Sequence, residues 1–231
     1  MTGVLVITGT LREAEVLAKA GLTVIPGGGD AAGLRAAIEA RADQAAGILS
    51  FGFAGALSDS LRIGDWVIAD RLTGTRETQC DPAWSAALLR NLPGARSGAI
   101  YADGRLISDV AQKRALGAHY GAIGVDMESH ICAEFAAARS LPFAIARCIS
   151  DEASRVLPPA IAVAMRPGGK VDGGAMLRSL ATRPRQIGDF ALAIRGFMRA
   201  MAALRSGAVQ LAPHLMACGE RSSERGRVLK G

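Results

Sequence analysis

Short apolar runs alternate with alanine-rich helical segments along most of this chain, and no other feature limits its fold as tightly. GVLVIT reads as a strand and LREAEVLAKAG as a helix closed by Gly21. LTVIP is a second strand, after which the glycine run GGGD opens a helix capped by Asp30. GILSFGFAG, GDWVIADRL and SGAIYA supply three more strands. A helix is expected after Asp81-Pro82, because proline is tolerated in a first turn. DVAQKRALGAH then reads as helix, GAIGVDME as strand, SHICAEFAAARS as helix and PFAIARCIS as strand. This order predicts an α/β fold around a sheet whose central strands are largely parallel. Residues 158–175, with Pro158, Pro159, Pro167 and a run of glycines, read as a loop or mobile lid. A long helix is expected beyond them, because Ile187, Phe190, Ala191, Ile194, Phe197, Met198 and Met201 share one face. Arg195 and Arg199 flank that face, which either packs on the sheet or rests on a membrane surface.

The 231 residues suit one domain, placed at 1–212, with a polar basic tail at 213–231 that is expected to be flexible. Half the residues are apolar, which excludes disorder for most of the chain. A net charge of +6 favours acidic partners. Seven of the lysines and arginines lie at or after Arg195, however, so part of the charge belongs to the C-terminal end rather than to a cleft, and nucleic acid is not expected as a partner. Cys80, Cys132, Cys148 and Cys218 form no CxxC pair and only three histidines are present, which argues against a metal site or a disulfide framework. A reducing compartment fits these cysteines best. The start, MTGVLVITGT, lacks the pattern of a signal peptide, and AGILSFGFAGAL is too short to cross a bilayer as a helix. The expectation is a cytoplasmic protein.

Chemistry is suggested where apolar strands end in charge. GVDMESH places Asp126 and Glu128 at the end of one strand, and Asp151 ends the strand after the next helix. Buried carboxylates cost free energy unless they are paired or used. A right-handed parallel crossover would bring both strand ends to one edge of the sheet. Open α/β sheets bind ligands in crevices at such edges. Each acid also has a plainer use. Asp126 or Glu128 can cap the next helix, and Asp151 can pair with Arg147 or Arg155.

GVDMESH, ARCISDEAS and SFGFAGALSDSLRIGDWVIAD together resemble the nucleoside phosphorylase and nucleosidase superfamily. Its members show a V-x-M-E segment, an R-x-x-S-D segment further on, and a G-x-A-G-x-L strand end followed by GD. RPGGKVDGGAMLRSL and the arginine-punctuated helix after it are most similar to the hopanoid-associated phosphorylase group. The resemblance implies a three-layer α/β/α sandwich with a central mixed, largely parallel sheet. It implies cleavage of the N-glycosidic bond of a 5′-substituted adenine nucleoside, adenosylhopane, with release of adenine. Within the V-x-M-E match, Val125 would belong to the substrate site, Met127 would pack against the sugar, and Glu128 would hold the ribose 2′- and 3′-hydroxyls. Asp151 would protonate N7 of the purine, with Ser150 and Arg147 orienting it. Ala54 and Gly55 would bring backbone to the ribose and the attacking group, and Leu106 and Ile107 would contact the base. Asp126 should point away from the crevice, to cap a helix or pair at the surface.

The attacking group is less determined. In hydrolytic members a glutamate after the first strand activates water, and Glu13 matches it; the plainer alternative is an exposed helix carboxylate. In phosphorolytic members arginines and a serine hydroxyl grip phosphate. Here Phe53 stands where a serine is common, and Ser50, not arginine, precedes it by three. Phosphate as co-substrate stays open. The turn PGGGD presents N–H groups to an anion or simply needs glycine torsions. No other cofactor and no metal is implied. Expected partners are the nucleoside, further copies of the chain, and peripherally the inner face of a membrane. Phe53, residues 158–168 and the Phe190–Met201 helix would then form an apolar channel. One rival reading is a nucleosidase for methylthioadenosine, adenosylhomocysteine or a futalosine-like compound. Another is a non-catalytic nucleotide-binding module, against which the lack of GxGxxG after the first strand speaks.

Overall fold

The computed structural model describes residues 3–18, 22–27, 30–166 and 170–228, with side chains described as far as Leu215 except at Ala42 and residues 165–171. The helix stop expected at Gly21, the middle of the glycine turn and Pro167 lie outside the described residues.

Elements follow in the order β1 (Gly3–Thr8), α1 (Leu11–Ala18), β2 (Thr23–Pro26), α2 (Ala31–Glu39), β3 (Ala45–Ala56), β4 (Trp66–Gly74) and β5 (Thr78–Gln79). Next come α3 (Pro82–Asn91), β6 (Arg96–Ala102), α4 (Val110–Tyr120), β7 (Ala122–Asp126), α5 (Ser129–Ala138) and β8 (Phe143–Asp151). The chain ends in α6 (Pro159–Ala164), the strand pair β9 (Met165–Arg166) and β10 (Lys170–Val171), α7 (Gly173–Thr182) and α8 (Ile187–Val228). Asp30, Asp81, Asp109 and Asp172 start α2, α3, α4 and α7 by accepting the N–H of the residue three further on. The described residues of 158–175 are therefore not the loop that the prolines and glycines suggest. Pro158 and Pro159 begin a helix, where a missing N–H costs nothing, and Gly173 opens another.

The sheet is mixed, as expected. β1 pairs parallel with β2 and β3, β3 with β8, and β6 with β4 and β7. β3 runs antiparallel to β7, and β4 to β8. Following partners from β3 through β7, β6, β4 and β8 returns to β3, so this half of the sheet closes on itself. The closure corrects the reading of residues 122–151. β7 and β8 are not a parallel crossover pair, because β3 lies between them, antiparallel to one and parallel to the other. Their ends still meet, since Gly55 partners both Val125 and Asp151. The 12-residue β3 makes the meeting point.

Both faces of the sheet are buried, and side-chain alternation sorts them. Leu5, Ile7, Ile48, Ile145 and Ile149 pack under α2 and α5 with Leu34, Ile38 and Ile131. Val4, Val6, Leu49, Phe51, Ala146 and Cys148 pack under α1, α3 and α8 with Leu17, Leu88, Leu204 and Leu211. Each fully buried leucine of α8 stabilises the fold by about 1.5–3 kcal/mol. The expected apolar face of α8 splits. Met201 is buried and Phe197 partly so, but Ile187, Ile194 and Met198 are exposed. The burial continues instead through Ala208, Leu211 and Leu215, so the boundary expected at residue 212 falls inside a packed helix. Among the described residues no helix is long and apolar enough to cross a membrane.

Candidate active site

Arg147 organises the site. On β8 it shares the face of Ile145 and Ile149, so strand alternation drives a guanidinium into the core under α5. Its Nη2 donates to Ser50 Oγ at 2.5 Å and Ser129 Oγ at 3.2 Å. Its Nε lies 2.8 Å from Asp126 Oδ2, an ion pair too bent to be a hydrogen bond. Burial works against its charge, but Asp126, Glu128 and Glu13 outweigh burial and hold it protonated. Arg147 is thus committed to Asp126, Ser50 and Ser129, and the expectation that it orients Asp151 is corrected.

Asp126 does the capping expected of it, accepting from the N–H groups of Glu128 (3.0 Å) and Ser129 (2.8 Å) at the start of α5. The expected surface pair is a buried one, with Arg147. β7 ends here because its last residue turns inward to serve the next helix.

Glu13 is not an exposed helix carboxylate; only 2% of it is exposed. Thr10 and Glu13 form a capping box on α1: Thr10 Oγ1 accepts from Glu13 N–H at 3.3 Å, and the Glu13 carboxylate accepts from Thr10 N–H. Its second oxygen accepts from Phe53 N–H at 2.6 Å. Burial pushes its pKa up, against the hydrogen bonds and Arg147. Carboxylate and guanidinium converge on Gly52, whose φ is +142°. A Cβ there would sit 2.4 Å from Glu13 Oε1 and 3.0 Å from Arg147 Nη1, so only glycine fits.

Glu128 is buried beside Glu13, and a methyl group on Gly9 would touch both carboxylates. Burial pushes its pKa up to about 8, opposed by Arg147 and reinforced by Asp126 and Glu13. It lines a cavity of about 30 Å³ with Gly27, Asp30, Gly104, Met127 and His130. That volume holds a water molecule and not a nucleoside. His130 Nδ1 has no hydrogen-bond partner among the described residues.

Asp151 ends β8 beside Gly55. Ser150 Oγ lies 3.0 Å from Asp151 Oδ1 and 3.3 Å from the Ala54 carbonyl, so it bridges the Asp151 carboxyl to the backbone of β3. The unexpected partner is Lys113 of α4, whose Nζ is 2.5 Å from Asp151 Oδ2. Neither Arg147 nor Arg155 holds it, since Arg155 pairs with Glu152 at 3.5 Å.

The remaining residues divide. Ala54, Gly55 and Val125 lie where β3, β7 and β8 converge, and a Cβ on Gly55 would meet the Asp151 carboxylate and Val125. Phe53 turns to the opposite face and packs on Phe197 with the rings tilted at 58° and centroids 5.4 Å apart, while its N–H serves Glu13. Leu106 and Ile107 follow β6 in irregular backbone. Ile107 is buried against Tyr101 and Val125, whereas Leu106 is exposed. The sequence reading missed Lys113, the Asp126–Arg147 pair and His130. Only the pattern T-x-x-E at 10–13, the signature of a capping box, carried a legible local signal for the inward turn of Glu13. Among the described residues no set of three or more His, Cys, Asp or Glu is arranged to hold a metal ion.

The sequence profile of the Phosphorylase superfamily matches residues 2–162. Among curated proteins, none matches the chain by sequence. Solved structures share its fold. A 5′-methylthioadenosine/S-adenosylhomocysteine nucleosidase of Campylobacter jejuni is 15% identical with a TM-score of 0.66, the match covering 92% of this chain and 98% of that one. The corresponding nucleosidase of Colwellia psychrerythraea 34H, in complex with adenine, is 14% identical with a TM-score of 0.65, covering 93% and 96%. A futalosine hydrolase mutant of Helicobacter pylori strain 26695 is 15% identical with a TM-score of 0.57, covering 65% and 89%.

Proposed function

The chain belongs to the Phosphorylase superfamily, whose members cleave N-glycosidic bonds, and on that premise we propose that it hydrolyses a 5′-substituted adenine nucleoside to free adenine. The observation that carries this reading is the convergence of Glu13 and Glu128 over Gly9, with Asp151 at the end of β8 paired with Gly55 of β3, the strand that also carries Gly52. Glu128 accepts the ribose 2′- and 3′-hydroxyls. Asp151 gives a proton to purine N7 as the C1′–N9 bond breaks and its electron pair passes to the base. The sugar is left as an oxocarbenium-like cation. Water attacks C1′, and Glu13 takes its proton. The paired carboxylates favour that cation electrostatically.

Water is favoured over phosphate by charge. Glu13 occupies the Phe53 N–H, and Asp126, Ser50 and Ser129 occupy Arg147, so the donors an attacking anion needs are taken. The charge of Glu13, and of Glu128 once ribose hydroxyls ionise it, would repel such an anion. A nucleoside needs a pocket of about 300 Å³ or more, so binding requires the start of α2 and the turn at Gly104 to part from Glu128. Adenosylhopane is the substrate implied by the resemblance of residues 166–180. The Phe53–Phe197 contact and the exposed Ile187, Ile194 and Met198 support an apolar 5′ group and a lipid surface beneath α8. The test is mass spectrometry of products from adenosylhopane, methylthioadenosine, adenosylhomocysteine and futalosine, each with and without phosphate. Adenine and a free ribosyl product at equal rates in both conditions are expected. A phosphoribosyl product, or strict dependence on phosphate, overturns hydrolysis; preference for one of the smaller nucleosides overturns the hopanoid substrate.

A further inference from the structure

Lys113 is wholly buried, yet it lies in the first turn of α4, where a lysine ordinarily reaches solvent. Its Nζ makes three contacts: Asp151 Oδ2 at 2.5 Å, the Glu152 carbonyl at 3.1 Å and the Arg155 carbonyl at 3.1 Å. An ammonium has three donors, so every one is used. The geometry suits a second state equally well. If one proton moves from Nζ to Oδ2, the amine lone pair accepts the new O–H. The two remaining N–H bonds still serve the two carbonyls. No buried group loses its partner in either state.

Other charges near the pair are already committed. Glu152 and Arg155 pair with each other. Asp109, at the head of α4, caps Gln112 N–H at 2.9 Å. β3 and β7 contribute Gly55 and Val125, which carry no charge. The Asp151 side chain keeps 24% of its surface exposed, and that exposure is its contact with water. A purine seated on Asp151 removes this water. Removing water disfavours separated charges and favours the neutral pair.

We propose that Lys113 loads the catalytic acid: substrate binding drives a proton from Lys113 Nζ to Asp151, which then protonates the departing purine. The proposal rests on the reading that Asp151 is the general acid. As C1′–N9 breaks, the bond pair goes to the purine and the Asp151 proton goes to N7. Ionised Asp151 is left beside a neutral amine, which takes a proton from water when adenine leaves. Lys113 touches no substrate atom and acts through Asp151.

Lys113→Arg tests this directly. Arginine keeps the charge and the donors but does not give up its proton. Its kcat for an adenine nucleoside should fall about 10²-fold or more, while p-nitrophenyl riboside, whose leaving group needs no proton, is cleaved at nearly the wild-type rate. Lys113→Met should cleave the nucleoside progressively more slowly as pH rises through a range where wild type is flat. Wild-type kcat and pH profile in Lys113→Arg, or equal losses on both substrates, overturn the proposal. A second measurement needs no variant. The chain has only four lysines, so 15N spectra of the wild type can follow each Nζ. Saturating adenine should move one resonance from the ammonium to the amine position; four unchanged ammonium signals overturn the proposal. Wild type that cleaves no adenine nucleoside at all overturns the nucleosidase reading beneath it instead.

Discussion

Glu13 and Glu128 aim carboxylate oxygens at one point: a methyl group on Gly9 would lie 3.1 Å from Glu13 Oε2 and 3.3 Å from Glu128 Oε2. The two acids come from the first turn of α1 and the N-terminal edge of α5, and Arg147 lies beneath both. Once a bound ribose ionises Glu128, two carboxylates stand against one guanidinium that Asp126 already neutralises, and the site carries excess negative charge. Such a site suits a cationic transition state.

Glu13→Gln separates the structural and chemical parts of Glu13. Glutamine has one acceptor oxygen where the carboxylate uses two, so it keeps one of the Thr10 and Phe53 N–H bonds and turns its NH2 towards the other, at a cost of about 1–3 kcal/mol. It cannot take a proton from water. The expected outcome is a fall in kcat of about 10²–10⁴-fold with little change in KM, alongside a Tm lowered by the one lost hydrogen bond. Steady-state kinetics and thermal melts check it.

Glu128 should release a proton when a nucleoside binds. With its pKa pushed up to about 8, Glu128 is mostly protonated at pH 7 in the free protein. Ribose hydroxyls donate to the ionised carboxylate and so favour ionisation. Titration calorimetry at pH 7 in buffers of different ionisation enthalpy should report close to one proton released in the wild type and none in Glu128→Gln. The same raised pKa makes folding weaken with pH. The native state holds the Glu128 proton between the ordinary 4.5 and about 8, so stability falls across that window and levels off above it. Glu128→Gln should flatten this slope, with a gain over wild type of at least ~1 kcal/mol at pH 8.5.

Much of this was legible beforehand and some was not, for physical reasons. Strand alternation and capping aspartates are local signals, so β1, β3, β8 and the starts of α2 and α3 follow from the sequence. The Asp126–Arg147 pair depends on which face of β8 is buried, and a strand apolar on both faces does not announce that. The ends of β7 and β8 were expected to meet through a parallel crossover, and Val125 and Asp151 meet at Gly55 of the closed half-sheet instead. Lys113 sits in an ordinary polar helix, and only the return of β8 past α4 makes it a buried partner. The Pro- and Gly-rich segment misled because both residue types also begin helices.

Breaking the Asp126–Arg147 pair should cost more than any surface ion pair in the molecule. Asp126→Ala leaves a buried guanidinium without its counter-ion and removes the acceptor for two N–H groups. A loss of about 3–5 kcal/mol is expected in urea unfolding. Arg139→Ala, which removes the exposed Arg139–Glu39 pair, should cost about 1 kcal/mol or less. Equal costs would show that Arg147 is held by something other than Asp126.

The exposed edge of α8 should bind anionic lipid. From Gly173 to Arg205 the chain carries Arg178, Arg183, Arg185, Arg195, Arg199 and Arg205 against the single acid Asp189. Met198 is 62% exposed and Ile187 54%, so apolar side chains face outward beside these arginines. A basic residue at an anionic surface contributes about 1 kcal/mol, and a reversed charge is repelled. Arg195→Glu with Arg199→Glu should therefore lower partitioning onto phosphatidylserine vesicles at least ~10-fold at low salt, with hydrolysis of a water-soluble adenine nucleoside unchanged. Met198→Ser should weaken binding at high salt as well, because its contribution is burial rather than charge. Vesicle binding that is the same in all three proteins would place the lipid contact, if the wild type makes one, on another face.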